Sequence, residues 1–301
     1  MKEQITTSSS VKGWVRPLLI LIPYLIIVSI FQAIGYWIVG LDPKDYLLPR
    51  TSMQNFVISL FTLIGTIVVI TLFRRGVDNE SFRSLGFYPK GSNKELITGL
   101  SLGALIISFG FVILILMNEI QWVGINLSSS DFMLGFLLFV AIALGEELLF
   151  RGYILNNLML SMPRMVALLI SSLFFSLMHI FNSDFTWISF WDMLLGGMLL
   201  GLSYIYTKSL WFPIALHFSW NFFQGTIFGF NVSGHVTYSL FTQSRTVDNY
   251  WNGGKFGFEG SVLSIIFQLI AIFGIWWYFN QKTNEYILKE SVTPIYPLKE
   301  S

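Results

Sequence analysis

The chain has 301 residues, 54% hydrophobic and 17% aromatic with only 12% charged, a balance far more apolar than that of a soluble domain, and it points to a bilayer as solvent. A formal net charge of +1 provides no basic surface for nucleic acid and no acidic tail for a cationic partner. The absence of cysteine excludes disulfides, thiolate zinc sites, iron–sulfur ligation and a cysteine nucleophile.

Lys2, Lys12 and Arg16 precede an apolar run over 17–40. That run is longer than a signal-peptide core and lacks a small-x-small cleavage site, so it is read as a retained first span. A helix needs about 20 apolar residues to cross the hydrocarbon. Further runs of this kind fall at 54–73, 96–117, 132–157, 165–182, 187–206, 210–229 and 261–279. The expectation is an all-α polytopic membrane protein with about eight transmembrane helices, the fourth interrupted by charge and the fifth short. With the N-terminus in the cytoplasm, 14 Lys and Arg fall on the inner side and four (44, 50, 245 and 255) on the outer side. This follows the positive-inside rule and puts both termini in the cytoplasm, the bacterial plasma membrane being the simplest setting. Arg74, Arg75, Arg83, Lys90 and Lys94 do most of the sorting. The longest polar connection, 231–260, is rich in Gly, Asn and aromatic residues; it either caps a site or rests at the membrane interface, where Trp and Tyr are at home, and the interface is the preferred reading. No internal repeat supports an inverted-repeat transporter. Three units are expected: N-terminal helices with a basic loop over 1–131, a catalytic core over 132–230, and the outer loop with a last helix over 231–301.

Within the expected spans the ionisable side chains of Asp, Glu, Lys, Arg or His type are Glu146, Glu147, Arg151, His179, Asp192 and His217. Each charge in a bilayer costs at least about 2.5 kcal/mol, so a cluster of them marks a functional site; the bland reading is a structural ion pair locking helices together. Glu147 and Arg151 are four apart and meet on one helix face, which makes them partners. Glu146 lies about 100° round the helix and stays available as a general base. Phe175 and His179 are again four apart, so the ring can buttress the imidazole. His217 and Asn221 share a face and make a donor pair suited to a developing oxyanion; Asn221 could instead be interhelical glue. At the rise of an α-helix, Glu146, His179, His217 and Asn221 fall roughly 11 to 21 Å from the inner ends of their spans, within one layer. Asp192, near the outer end of its span, either lines the site or reaches the interface, and the interface is the preferred reading.

At these residues the sequence resembles the CPBP family of CAAX-protease and bacteriocin-processing enzymes, which includes type II CAAX prenyl endopeptidases and lysostaphin resistance protein A-like proteins. Glu-Glu-x-x-x-Arg stands as Glu146, Glu147 and Arg151, followed by Gly152 and Tyr153. Phe-x-x-x-His stands as Phe175 and His179, and His-x-x-x-Asn as His217 and Asn221, preceded by a linking segment from Gly196 to Pro213. The likeness runs from about 134 to 226. It implies an all-helical intramembrane protease in which Glu146 activates water with His179, His217 and Asn221 stabilise the oxyanion, and Glu147 and Arg151 position the first carboxylate. It implies no cofactor and, as partners, a peptide or protein substrate, lipidated or not, within membrane lipid.

Three rivals stay open. Glu146, His179 and His217 can make a two-histidine, one-carboxylate zinc site with an open water position. A catalytically silent scaffold or immunity factor fits the same motifs. A transporter is disfavoured by the lack of paired broken helices.

Overall fold

The structure, a computed structural model, describes residues 11–45, 49–89 and 91–292, the side chains of 45 and 283–292 excepted. Lys2, Lys90 and Lys299, and the side chain of Lys289, used above to sort the loops, lie outside the described residues. The helices follow the apolar runs: α1 (Val15–Ile38), α2 (Ser52–Gly76), α3 (Ser92–Leu116) and α4 (Ser129–Glu147), the last continued by a π-helical stretch (Leu148–Leu155) and a short α5 (Asn156–Leu158). Then come α6 (Arg164–Met178), α7 (Trp187–Thr207), α8 (Trp211–Asn221) with its own π-helical continuation (Phe222–Ile227), and α9 (Val262–Val292).

All eight expected runs are helical, but the count of spans is a different matter. Among the described residues, six helical stretches are long and apolar enough to cross a membrane: Val15–Ile38, Ser52–Gly76, Ser92–Leu116, Ser129–Leu158, Trp187–Thr207 and Val262–Lys282. The helix α6, with 15 residues, is shorter than the hydrocarbon requires. The helix α8 has 11 residues before its π-helical turn, and it is mostly buried in protein. The all-α expectation also missed a two-stranded antiparallel pair, β1 (Gln121–Ile125) with β2 (Phe241–Ser244), kinked between Trp122 and Gly124. Its strands are so far apart in the chain that neither reads as half of a hairpin.

Helix starts are set by local chemistry. Thr51 accepts from the backbone of Gln54, whose side chain returns the bond, and Thr186 with Ser189 does the same ahead of α7. Packing then orders the layers: α1 lies on α2, α2 on α4, α3 on α8, α6 on α7 and α7 on α9. One apolar cluster runs from Ile20 on α1 through Leu168 and Leu216 to Leu263 on α9, so the outer helices share the core of the central ones. The α3–α8 contact is close, because Gly99 and Gly103, one turn apart, let the backbones meet. A Cβ at Gly99 would lie 2.6 Å from the Phe212 carbonyl oxygen, and one at Gly103 2.8 Å from the Trp220 nitrogen. Ser219 adds a bond from Oγ to the Leu100 carbonyl at 2.6 Å. Gly103→Leu is expected to wedge this pair apart and destabilise the protein by about 1–3 kcal/mol or more, read as a lower unfolding temperature in detergent.

The two ends of the bundle differ. At one end Asp78 is buried between two guanidinium groups, Arg74 Nη1 at 2.7 Å and Arg16 Nη1 at 3.4 Å. Asn157 and Tyr153 complete that knot, and Lys208, bonded to Asn156 at 3.0 Å, is held below the usual lysine range by burial. The opposite end carries the β1–β2 pair and the 231–260 segment. The last part of that segment departs from the preferred interface reading: Asn252, Gly253, Gly254, Phe256, Phe258, Glu259 and Gly260 are buried and pack into the protein, while Val236, Val247 and Tyr250 stay exposed. Its glycines make this possible. Gly253 (φ 76°) and Gly257 (φ 102°) take left-handed backbone, and a Cβ at either would come within 1.9 Å of a carbonyl oxygen.

Candidate active site

The site begins where α4 changes pitch. Glu146 and Glu147 end its α-helical part, and the π-helical stretch starting at Leu148 carries Arg151; such stretches recur at functional sites. Asn221 likewise ends α8 immediately before Phe222–Ile227 widens. The apolar run gave no sign of either change.

The carboxylates face apart, as their 100° offset requires. Glu147, 0% exposed, accepts from Arg151 Nη1 at 2.8 Å, the expected i,i+4 pair. Arg151 is fixed by two further contacts: Nη2 donates to the Gly197 carbonyl on α7 at 3.0 Å, and the guanidinium sits 4.6 Å from the Phe175 ring centroid. The same Glu147 Oε1 also accepts from His217 Nδ1 at 2.7 Å. This bond, which spacing along one helix could not reveal, couples α4 to α8 through a single oxygen. With Nδ1 as donor, Nε2 is the ring nitrogen left over, and it lies 3.8 Å from Glu146 Oε2. Glu146 keeps 30% of its side chain accessible, and its Oε2 is buried with no hydrogen-bond partner.

His179 caps the C-terminus of α6 instead of lying within it. Its Nδ1 is 2.7 Å from the Phe175 carbonyl oxygen, and the two rings are 4.8 Å apart, the buttress expected from their spacing. A carbonyl only accepts, so Nδ1 carries the proton and Nε2 of the neutral ring is an acceptor. Phe175 also reaches His217, at 6.2 Å between centroids, and thus spans both imidazoles.

A cavity of about 900 Å³ unites these groups: Glu146, Phe175, His179, His217 and Asn221 all line it, while Glu147 and Arg151 stand behind it. Residues that the sequence reading placed elsewhere line it too. Asp192 is fully buried and in the cavity wall, not at the interface: α7 crosses the protein interior, and its first turns are covered by α9 and the 258–260 turn. Glu259 and His235 reach the cavity from the 231–260 segment. Burial holds the His235 imidazole below its usual range, the charge of Arg50 adds to this, and Glu146 opposes it. The signal for His235 was only that histidine is scarce, three in the whole chain. Among the described residues, no three His, Cys, Asp or Glu side chains gather closely enough to hold a metal ion.

Comparison with known proteins agrees with the resemblance of the motifs. Residues 128–223 match the family model described as Rce1-like, type II CAAX prenyl endopeptidase Rce1-like. No curated protein and no solved structure matches the chain. The matched segment starts at the Ser128 cap of α4 and ends just after Asn221, so it contains all three motifs. With its six long apolar helices, the chain is an integral membrane protein. Its residues 128–223, about a third of the chain, are thus similar to the Rce1-like type II CAAX prenyl endopeptidases, in agreement with the CPBP family that its motifs resemble.

Proposed function

We propose that the protein is an intramembrane endopeptidase in which Glu146 is the general base. The observation that carries this reading is the division of labour between two adjacent carboxylates. Glu147 stands behind the cavity with its Oε1 held by both Arg151 and His217, while Glu146 lines the cavity and neither of its oxygens takes part in a hydrogen bond; each carboxylate has an unpartnered Oε2, so what separates them is the cavity and the ion pair. In the proposed reaction a water lies between Glu146 and His179 Nε2. Glu146 takes its proton as the oxygen attacks the carbonyl carbon, and the resulting oxyanion accepts from His217 Nε2 and the Asn221 amide. Glu146 then passes its proton to the leaving nitrogen, the C–N bond breaks as the oxyanion collapses to a carbonyl, and the new carboxylic acid and the amine depart, the acid's proton going to the amine or to solvent. For Nε2 to donate, the His217 ring must carry its second proton, and Glu146 at 3.8 Å is the counter-charge that accompanies it. Glu147 and Arg151 act as positioning residues: they fix Nδ1 of His217 and so the direction of Nε2.

The core is assigned to 132–230, with 1–131 supplying the helices that wall the cavity and 231–301 its cover and last helix. The excess of Lys and Arg in the loops assigned to the inner side supports a cytoplasmic location for both termini. The substrate is a peptide or protein; a prenylated CAAX terminus and a bacteriocin leader are the two classes to compare.

The test is cleavage of a fluorogenic panel containing both classes by purified wild type and His217→Ala, with and without a zinc chelator. Cleavage indifferent to the chelator and reduced about 10²–10³-fold in His217→Ala is expected. Chelator inhibition reversed by zinc would replace this mechanism with the metal reading. No cleavage by a wild type that still supports its cellular phenotype would favour the scaffold.

A further inference from the structure

The cavity has a second polar wall that hydrolysis at Glu146 does not use. Asp192 on α7 is 0% exposed and Gln268 on α9 is 1% exposed, and both line the cavity. Gln268 Nε2 donates to Asp192 Oδ2 at 2.7 Å and to Ser264 Oγ at 3.1 Å. That arrangement occupies the amide nitrogen and leaves Gln268 Oε1 without a partner; Asp192 Oδ1 has none either. Glu259 lines the same cavity, its Oε2 accepting from the Ser233 backbone nitrogen and hydroxyl, both at 2.8 Å. Among the described residues neither carboxylate stands in an ion pair.

Buried acceptors without donors are costly and rare in native proteins, and they persist where a ligand supplies the donor. Two carboxylates and two orphaned oxygens call for a group that brings positive charge and several N–H bonds together. A bare metal ion does not fit, since among the described residues no three His, Cys, Asp or Glu side chains converge. A lysine ammonium or arginine guanidinium does, with three or five donors respectively.

We infer that Asp192, Gln268 and Glu259 form a specificity subsite that takes a basic side chain of the peptide substrate, with the scissile bond held at Glu146. The inference rests on the peptidase reading of the cavity and names what that peptidase prefers. Asp192 and Glu259 supply the charge, and Gln268 supplies direction, since its nitrogen is tethered and its oxygen is not.

The test measures binding without turnover. Glu146→Gln protein in detergent is titrated, by fluorescence anisotropy, with peptides in which one lysine is moved along a neutral sequence, each paired with a norleucine twin. At one position the lysine peptide is expected to bind at least about tenfold tighter than its twin. Adding Asp192→Asn should erase that difference and leave the norleucine peptide unaffected. Adding Gln268→Glu should widen it, a gain that a misfolded variant cannot produce. If peptides bind and wild type cleaves them, yet no lysine position is favoured or the preference survives Asp192→Asn, the subsite is wrong and the peptidase stands. If no peptide binds and wild type cleaves none, both are overturned.

Discussion

Glu146→Gln is expected to lower kcat/KM for any cleaved peptide by about 10²–10⁴-fold, the range of a lost general base, while leaving the unfolding temperature nearly unchanged. The two halves of this expectation have separate physical sources. The amide keeps the size of the carboxylate but has no basicity at neutral pH, so it cannot accept a proton from water. Stability is spared because Glu146 holds no hydrogen bond that the change would break: its Oε2 is unpartnered, and its closest cation, His217 Nε2, is 3.8 Å away. Steady-state kinetics and thermal unfolding on the same preparation check both halves. A large fall in stability would mean that Glu146 is a structural carboxylate.

Arg151→Met is expected to do the reverse, destabilising the fold by about 3–5 kcal/mol through the uncompensated charge it leaves on buried Glu147. Arg151 is 1% exposed and holds three parts together: Glu147 at 2.8 Å, the α7 backbone at Gly197 and the Phe175 ring. Its loss leaves His217 Nδ1 as the one remaining contact of the carboxylate oxygen it shared. The double variant Arg151→Met with Glu147→Gln removes both charges and is expected to recover part of the stability, because an absent pair is less costly than a broken one. Thermal unfolding of the two singles and the double reads the coupling. Activity should not return with stability, since His217 has lost its anchor. A double variant as active as wild type would show that Glu147 and Arg151 do not position the ring.

The contrast between these two carboxylates was open to reading in the sequence, because side chains 100° apart on one helix point in different directions and Arg151 stands at the i,i+4 position of only one of them. The helices were legible for a similar reason: lipid demands long apolar runs, and those runs are where α1, α2, α3, α7 and α9 lie. Length misled at α6 and α8. Their apolar runs extend beyond the α-helical parts, into the cap at His179 and the π-helical turn after Asn221, and composition does not distinguish a full crossing from a short helix buried in protein. The pairing of His217 with Glu147 was invisible because it joins two helices 70 residues apart. Asp192 was misplaced because its position in the run was taken as depth, whereas its surroundings are set by what packs on α7. The 231–260 segment was misread because aromatic residues suit an interface and a core alike. What turns them inward is a set of left-handed glycines, whose effect depends on backbone that only the fold supplies.

The most direct measurement is cleavage itself: purified wild type and Glu146→Gln, incubated in detergent with farnesylated CAAX peptides and leader-type peptides in the presence of a chelator, with products identified by mass. New fragments from wild type, at one peptide bond and missing from Glu146→Gln, are the predicted result. Equal fragments from both proteins would contradict Glu146 as the base.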